Sequence, residues 1–409
     1  MKTISRENYL QTLRGLQDKQ LIKVVTGVRR CGKSTLLRLR RQELLESGVD
    51  KKRIVALNFE EPENSYLKDW HEIYEVISKR LVANDMNYVF LDEVQYIEDF
   101  EKLLVGLETK GNVDLYVTGS NARMLSSELA TLLTGRSYEI NMLPLSFAEY
   151  LSAFEDEPPV TVEQRFADYI NYGGFPQATE LFMVGPSFAD SYLEGVYNTI
   201  IGRDIMKRGK VSDQPSLEKV SRYLFDNIGN FSSPNKIAGV LSDEARKDGS
   251  SKTSHHTVSA YVKALEDSYL FYSVGRLHIK GKEQLRTQEK YYAVDLGLRN
   301  MLLGREADVD MGHILENVVY LELLRRGGTV WVGKTGNKEV DFVVQDKDGY
   351  TSYYQVSNST NEAATLKREL APLQMINDNN PKYLLTTDKD EPVYSGIRKI
   401  NVLNWLLKK

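Results

Sequence analysis

The 409 residues of the chain exceed what one hydrophobic core usually organises, so several domains are expected. Hydrophobic residues make up 41% and charged residues 27%, with 28 glycines and 11 prolines, a mixture that excludes collagen-like, disordered and disulfide-stapled chains. The 53 basic and 57 acidic residues give a formal charge of -4, so the whole chain gives no sign of nucleic-acid binding, although this balance can average over a local basic patch.

The cysteine content and the N-terminus bear on the cellular location. The single cysteine, Cys31, allows no intramolecular disulfide, which suits a reducing compartment. The first residues are too polar for the apolar core of a signal peptide, and no stretch approaches the ~18 apolar residues that cross a bilayer. We therefore expect a soluble, cytoplasmic protein that does not contact membranes.

Short β-branched runs alternate with helical patterns in the first part of the chain. Strands are predicted at residues 22–26, 54–59, 88–91 and 115–118, with amphipathic helices between them. Apolar strands that alternate with such helices are typical of a three-layer α/β domain with a parallel sheet. This first domain is predicted to span residues 1–145.

The pattern changes after residue 145. Residues 146–215 are predicted to form a helical segment that ends in a polar, turn-rich stretch. Residues 216–295 contain three helical patterns followed by two alternating segments, which is the order of a winged helix and its β-hairpin. Residues 296–409 return to mixed helices and strands and are predicted to form a second α/β domain.

A phosphate-binding loop is predicted between the first strand and the first long helix. The run Gly27-Val28-Arg29-Arg30-Cys31-Gly32-Lys33-Ser34 matches the pattern G-x-x-x-x-G-K-[ST]. Glycines let successive backbone N–H groups converge on phosphate oxygens, and the following helix adds the positive end of its dipole. We expect Lys33 to reach the β- and γ-phosphates of ATP and the Ser34 hydroxyl to ligate Mg²⁺. The predicted nucleotide-binding residues are Gly27, Arg29, Arg30, Cys31, Gly32, Lys33, Ser34 and Thr35.

Two interpretations of Cys31 follow from its place in this loop. A neighbouring cation such as Lys33 could lower the pKa of the thiol and make it a redox switch. A buried cysteine is more often a small filler, and this is the role that we expect.

Two adjacent carboxylates follow the predicted strand at 88–91. We expect Asp92 to hold Mg²⁺ through water and Glu93 to act as the general base that polarises the attacking water. The alternative is that the two acids only cap the next helix. The phosphate loop elsewhere in the same domain favours the catalytic interpretation.

The end of the next strand and a later arginine complete the predicted site. Asn121 or Ser120 is a candidate for sensing the γ-phosphate, and either residue could also cap the following helix. Arg136 suits an arginine finger that reaches the γ-phosphate of a neighbouring subunit, while a solvated surface arginine is the alternative. The predicted catalytic residues are Lys33, Glu93, Asn121 and Arg136, and the predicted metal ligands are Ser34 and Asp92.

Four stretches of sequence carry a family resemblance. They are GVRRCGKSTLL, YVFLDEVQ, VTGSNARMLSSELATLLTGRSYEINMLPLSFAEYL and NYGGFPQA. Together they resemble a prokaryotic family of AAA+-type ATPases whose members carry a C-terminal domain of restriction-endonuclease-like fold. The resemblance covers nearly the whole chain and implies ATP binding and hydrolysis. The predicted fold class is α/β, with a P-loop three-layer ATPase domain, a helical lid, a winged helix and a C-terminal α/β nuclease-like domain.

The last predicted domain is similar to the PD-(D/E)xK nuclease fold. The motif order of that fold is followed by Glu316, Asp341 and the run Tyr354-Gln355-Val356-Ser357. Nuclease chemistry there needs two acids that bind Mg²⁺ and a lysine two residues after the second acid. Here Gln355 replaces the second acid and Ser357 replaces the lysine, which predicts an inactive site unless the nearby Glu339 substitutes for the missing acid.

The winged-helix segment is a candidate DNA interface. Its third helix carries polar positions at Ser254, His255, His256, Thr257 and Lys263, and its wing carries basic positions at Arg276, His278, Lys280, Lys282 and Arg286. Acidic neighbours dilute this charge, so contact with double-stranded DNA and contact with a partner protein are equally favoured. The histidine pair lacks further ligands at useful spacing, and metal binding there is not expected.

We expect an ATPase whose nucleotide state moves its C-terminal domains, with a nucleotide-dependent homo-oligomer if Arg136 acts on a neighbouring subunit. One alternative is a DNA-binding regulatory or defence module that uses ATP as a switch with little turnover. A further alternative is a metal-dependent nuclease.

Overall fold

The computed structural model describes residues 4–64, 66–122, 135–207, 211, 213–248, 253–281, 283–305 and 310–408. The chain divides into two compact units, the first formed by residues 2–144 with 267–269 and the second by residues 145–266 with 270–409. In the described parts of both units, no helix is long and apolar enough to span a membrane.

The first unit is built on a five-stranded parallel sheet with the strand order β2-β3-β4-β1-β5. Its strands are β1 (Ile22–Thr26), β2 (Ile54–Asn58), β3 (Asn87–Asp92), β4 (Val113–Gly119) and β5 (Ser137–Asn141). Its described helices are α1 (Glu7–Gly15), α2 (Lys33–Glu46), α3 (Trp70–Ser78) and α4 (Phe100–Glu108), with short 3₁₀ turns at Lys51–Arg53 and Val94–Tyr96. The four predicted strands are therefore present, and the prediction of an α/β domain with a parallel sheet is confirmed.

The fifth strand, β5, was not predicted. Only Ile140 is buried in its sequence SYEIN, so neither a continuous apolar run nor a clear alternation marks it. It forms because β1 accepts a parallel neighbour along its whole length, with Ile22 opposite Ser137 and Thr26 opposite Asn141.

One face of the sheet packs on α3 and α4. The core there joins apolar side chains of β1 to β4 with those of the two helices, among them Val89, Leu91, Leu115, Val117, Ile73, Ile77, Leu103 and Leu107. Because all five strands are parallel, their carboxyl ends meet at one edge of the sheet. That edge holds the segments that follow β1, β3 and β4.

The second unit begins with helices and continues into a mixed sheet. The helices of its first part are α5 (Phe147–Ser152), α6 (Val162–Tyr172), α7 (Pro176–Val184) and α8 (Pro186–Thr199), followed by a π-helix (Ile200–Lys207). The next helices are α9 (Gln214–Asp226), α10 (Pro234–Asp248) and α11 (His255–Asp267). Ser146 caps the N-terminus of α5 in a capping box with Glu149, and Pro176 and Pro186 stand at the first helical positions of α7 and α8.

The remaining strands of the second unit form one nine-stranded sheet with the order β13-β14-β12-β11-β10-β9-β7-β8-β6. They are β6 (Phe231–Ser232), β7 (Phe271–His278), β8 (Glu283–Ala293), β9 (Thr329–Thr335), β10 (Lys338–Gln345), β11 (Thr351–Val356), β12 (Lys382–Thr386), β13 (Val393–Tyr394) and β14 (Ile397–Asn401). The helices among them are α12 (Leu296–Leu303), α13 (Met311–Arg325), α14 (Ala363–Gln374) and α15 (Val402–Leu407).

The hairpin that was predicted as a wing belongs to this sheet. Strands β7 and β8 pair as expected, but β7 also pairs in parallel with β9, where Arg276 lies opposite Val332. The predicted boundary between residues 295 and 296 thus falls between strands of one continuous sheet. Sequence patterning could not reveal this, because the pairing joins segments that are far apart in the chain.

Candidate nucleotide-binding site

The loop between β1 and α2 requires glycine at two positions. Gly27 has a φ of +142°, and a Cβ atom there would lie 2.1 Å from the carbonyl oxygen of Met142. Gly32 has a φ of +109° and directly precedes the first residue of α2. Both values lie in the region that favours glycine, so the two glycines of the motif are explained by the backbone path of the loop.

Lys33 is the first residue of α2, and its side chain folds back against this loop. Its Nζ donates hydrogen bonds to the carbonyl oxygens of Gly27, at 3.0 Å, and Val28, at 3.1 Å. The same ammonium is 3.9 Å from Oε1 of Glu93. The loop backbone and a carboxylate therefore hold a buried positive charge at the place where the motif predicts phosphate binding.

The two predicted metal ligands contact each other. The Ser34 hydroxyl hydrogen-bonds to the Asp92 carboxylate, and the Thr118 hydroxyl donates a second hydrogen bond to Asp92 Oδ1. Burial raises the pKa of Asp92, and these two hydrogen bonds act against that rise. Mg²⁺ in proteins prefers a few oxygen ligands and keeps several of its own waters. The adjacent hydroxyl of Ser34 and carboxylate of Asp92 are ligands of this kind, so the two residues fit this ion.

Glu93 is held from several sides. Its φ of +59° is unusual for a residue other than glycine, and its backbone N–H donates to Thr118 Oγ1 at 2.9 Å. The amide Nε2 of Gln95 contacts Glu93 Oε2, and it also donates to Ser120 Oγ at 3.1 Å. The side chain makes no capping bond to the following turn, which contradicts the capping alternative for this residue.

Three loop residues contribute in other ways. The Arg29 guanidinium donates to Glu60 Oε1 at 2.8 Å and to the Tyr96 hydroxyl at 3.1 Å, so its side chain connects the loop to the segments that follow β2 and β3. Arg30 is exposed and has a φ of +68°. Cys31 is buried and burial raises the pKa of its thiol, so the lowered pKa that a redox switch would need is absent and the filler role is supported.

Asn121 and Arg136 are the other two predicted catalytic residues. Ser120 is buried and Asn121 is half-buried just beyond β4, near the site, while most of the segment that follows, residues 123–134, lies outside the described residues. Arg136 is exposed and donates to Glu108 Oε2 of its own chain at 3.1 Å. This contact suits the surface alternative, and the arginine-finger role stays a prediction.

Sequence reasoning missed three residues that shape the site. Thr118 bridges Asp92 and Glu93, and Gln95 bridges Glu93 and Ser120. The buried Arg6 donates to the carbonyl oxygens of Cys31, at 3.1 Å, and of Leu143, at 2.7 Å, and thereby fixes the loop from outside the motif. Thr118 and Gln95 stand next to recognised motifs, which was a usable signal, whereas nothing local marks Arg6.

The C-terminal acids have a cation that the sequence did not predict. Lys290 of β8 places Nζ 3.1 Å from Glu316 Oε2 and 2.7 Å from Glu339 Oε1. Burial alone would lower the pKa of Lys290, but the carboxylates of Glu316, Asp341 and Glu339 outweigh it and raise this pKa. Glu339, the acid that could substitute for the missing one, is therefore paired with a lysine from the predicted wing.

The residues that replace the nuclease motif are engaged elsewhere. Gln355 Nε2 donates to Glu369 Oε2 at 3.0 Å, and the Ser357 hydroxyl donates to the carbonyl oxygen of Ser359 at 3.3 Å. The backbone N–H of Val356 donates to Asp341 Oδ2 at 2.8 Å. Among the described residues of the chain, no group of three or more histidine, cysteine or acidic side chains is arranged to hold a metal ion.

The candidate DNA-binding positions are partly described. His255 and His256 are exposed and their rings lie 4.2 Å apart, and the Arg276 guanidinium lies 4.5 Å from the centre of the Phe231 ring. Lys280 is exposed. Lys282 and the side chain of Arg286 lie outside the described residues.

Comparison with known proteins supports an ATPase fold for the first unit. A family model described as an AAA domain matches residues 19–151, and a model of a domain of unknown function matches residues 163–309, across two predicted boundaries. A Walker-type ATPase of Pyrococcus abyssi superposes with a TM-score of 0.51 at 15% identity, over 73% of this chain and 95% of that one, which is a likeness of fold.

Two protein relatives match over most of their length. An uncharacterized protein of Methanocaldococcus jannaschii is 28% identical over 401 residues, which cover 93% of this chain and 84% of that one. An uncharacterized protein of Haemophilus influenzae is 39% identical over 408 residues, which cover 99% of each chain. The chain therefore belongs to the same protein family as the Haemophilus influenzae protein, and its first unit carries an AAA domain.

Proposed function

We propose that the protein is a cytoplasmic, Mg²⁺-dependent ATPase. The observation that carries this proposal is the meeting of Lys33, Ser34, Asp92 and Glu93 at the carboxyl edge of the parallel sheet. The positive charge of Lys33, the oxygen pair of Ser34 and Asp92, and the Glu93 carboxylate are the groups that phosphoryl transfer to water needs. ATP is the substrate that the loop geometry and the AAA-domain match both favour.

Each residue has a defined task in this proposal. The loop N–H groups and Lys33 bind the β- and γ-phosphates, and the Lys33 ammonium exchanges its two carbonyl contacts for phosphate oxygens. Ser34 and Asp92 would hold Mg²⁺, which would supply positive charge to the phosphate oxygens when bound. Glu93 accepts a proton from water, the water oxygen bonds to the γ-phosphorus, and the bond from that phosphorus to the bridging oxygen breaks with its electron pair on ADP.

The test is ATP turnover and ATP binding by the purified full-length chain. We expect Lys33→Ala to lose both, because it removes the buried cation of the loop. Lys52→Ala is the matched control, since Lys52 is exposed on the short turn before β2 and should leave both quantities unchanged. Turnover by Lys33→Ala at the wild-type rate would refute the proposal.

We further infer that the nucleotide state changes the position of the second unit and the association of subunits. The division of the chain into two compact units supports the first inference, and the exposure of Arg136 supports the second. Solution mass with and without a non-hydrolysable ATP analogue tests the second: a larger assembly in the presence of the analogue, lost in Arg136→Ala, is expected. A monomer under both conditions would contradict the oligomer proposal and favour the interpretation of Arg136 as a surface residue.

The alternative of an ATP-dependent DNA switch rests on the exposed polar start of α11 and on Lys280. Binding of duplex DNA that weakens with salt and is lost on changing Arg276, Lys280 and Lys282 would favour it. Absence of any shift of duplex DNA at low salt would remove it.

We also infer that the C-terminal acids do not form a nuclease site. The Lys290 ammonium pairs with Glu316 and Glu339, and Gln355 and Ser357 are turned to other partners, which supports a structural role. Plasmid DNA incubated with Mg²⁺ or Mn²⁺ should stay intact. Cleavage that disappears in Asp341→Ala would revive the metal-dependent nuclease.

A further inference from the structure

The side chain of Gln95 lies between the two strand ends of the nucleotide site. It stands in the short turn Val94–Tyr96 after β3, and its Nε2 contacts both Glu93 Oε2 and Ser120 Oγ. Its Oε1 is buried and has no hydrogen-bond partner among the residues that the structure describes. The predicted functions of the phosphate loop and the two acids make no use of this residue.

The identity of the two Gln95 amide atoms follows from their neighbours. A carboxylate only accepts hydrogen bonds, so the atom of Gln95 that faces Glu93 is the nitrogen. The carbonyl oxygen then lies on the other side of the amide, as an acceptor without a donor. Since a buried acceptor without a partner is unfavourable, this atom points to a ligand with an O–H or N–H group.

Gln95 also distinguishes the two oxygens of the Glu93 carboxylate. The terminal torsion of a glutamate is broad, so a carboxylate without a fixed donor turns readily. Here Oε2 is bound by Gln95, and Oε1 lies 3.9 Å from Lys33 Nζ, the group that marks the predicted phosphate position. Oε1 is therefore the oxygen of Glu93 that lies toward the predicted phosphate position.

We propose that Gln95 holds Glu93 and orients the attacking water, which donates one hydrogen to Glu93 Oε1 and the other to Gln95 Oε1. With both hydrogens directed in this way, a lone pair of the water oxygen is left to face the γ-phosphorus. The proton moves from water to Glu93 as in the hydrolysis step above, and Gln95 neither gains nor loses a proton. The assignment rests on the proposed ATPase function and adds a water-positioning residue to it.

The test compares Gln95→Leu with wild type in the full-length protein. Leucine has a similar size but lacks both amide atoms, so we expect kcat to fall by at least about 10-fold. The Kd for a fluorescent ATP analogue and the thermal midpoint should stay within about 2-fold and about 2 °C of wild type, because Gln95 is not among the residues predicted to contact phosphate. Gln95→Asn is the second variant, since it keeps a polar amide that is too short to reach Glu93, and it should lower kcat similarly.

Gln42→Leu is the matched control. Gln42 also donates from Nε2 to a glutamate, Glu46 Oε1 at 2.9 Å, but on the exposed face of α2, and its loss should leave turnover unchanged. Wild-type kcat in Gln95→Leu and Gln95→Asn would overturn the role of Gln95 and leave the ATPase function standing. A fall in kcat accompanied by an equal loss of ATP binding would also overturn it, whereas absence of turnover in wild type itself would overturn both proposals.

Discussion

The Lys33 ammonium and the Glu93 carboxylate lie 3.9 Å apart at the carboxyl edge of the first sheet, and both side chains are buried. Lysine and glutamate come from the segments after β1 and β3, which are not neighbours in the sheet because β4 lies between them. Their approach across β4 brings the phosphate-binding charge and the general base to one point, which is the arrangement that hydrolysis of ATP needs.

Removing Arg6 should loosen the phosphate loop. The buried guanidinium donates to the carbonyl oxygens of Cys31 and Leu143, and Arg6→Met would leave these acceptors without their donor. We expect the free energy of unfolding to fall by about 1–3 kcal/mol, measured by thermal denaturation. ATP should also bind more weakly, measured by titration with a fluorescent nucleotide.

Arg14→Met is the control for this change. Arg14 pairs with Glu7 and Glu43 on the surface of α1 and α2, and surface ion pairs contribute little. Equal effects of the two substitutions on ATP affinity would contradict the loop-positioning role of Arg6.

The central residues of the nucleotide site can be predicted from the sequence because their motifs lie at the ends of strands in a parallel sheet. Lys33, Ser34, Asp92 and Glu93 were predicted because each ends or follows a buried strand, and parallel strands bring such ends together. Arg6 was missed because its acceptors in Cys31 and Leu143 are 25 and 137 residues away in the chain. No local pattern encodes a contact of that kind.

The same limit applies to the second unit. The boundary that the sequence predicts between residues 295 and 296 separates Lys290 from Glu316. The pairing of β7 with β9 carries the hairpin into the C-terminal sheet and brings Lys290 to Glu316. The sequence shows that Gln355 and Ser357 replace residues of the nuclease motif. It does not show that Lys290, from another segment, lies beside the remaining acids.

Lys290→Met should destabilise the second unit. The substitution removes the Lys290 cation from the buried Glu316 and the half-buried Glu339. Loss of one partner of a buried ion pair lowers the free energy of unfolding by about 3–5 kcal/mol. Denaturant unfolding measures the change. Adding Glu316→Gln to this variant should recover part of the loss, and Lys102→Met, which breaks an exposed pair with Asp99, should have no measurable effect.

The stability of the second unit should fall as the pH rises from about 4 to about 6 through Asp295. Burial raises the pKa of Asp295 to about 6, although the backbone N–H groups of Gly174 and Leu298 donate to it. Between the unfolded pKa of about 3.9 and the folded value, the folded state keeps a proton that the unfolded state has lost, so stability decreases through this window. The thermal midpoint should depend less on pH across this range in Asp295→Asn than in wild type. Equal pH dependence in the two proteins would contradict the raised pKa of Asp295.

Cys31 should react slowly in the folded protein. Its thiol is buried and burial raises its pKa, so little thiolate is present or accessible at neutral pH. Labelling with Ellman's reagent should be fast only after unfolding, and Cys31→Ala should keep ATP turnover. Rapid labelling of the native protein with loss of ATP binding would restore the redox-switch hypothesis.

The most direct test of the ATPase proposal is the Glu93→Gln variant. Glutamine keeps the shape of the side chain but cannot accept the proton of the attacking water, so ATP binding should persist while turnover falls by about 100-fold or more. Glu98→Gln, an exposed acid nearby, is the control. We predict that Glu93→Gln retains ATP without converting it to ADP, measured as bound nucleotide after a single mixing. Conversion at the wild-type rate would contradict the role of Glu93 and with it the proposed mechanism.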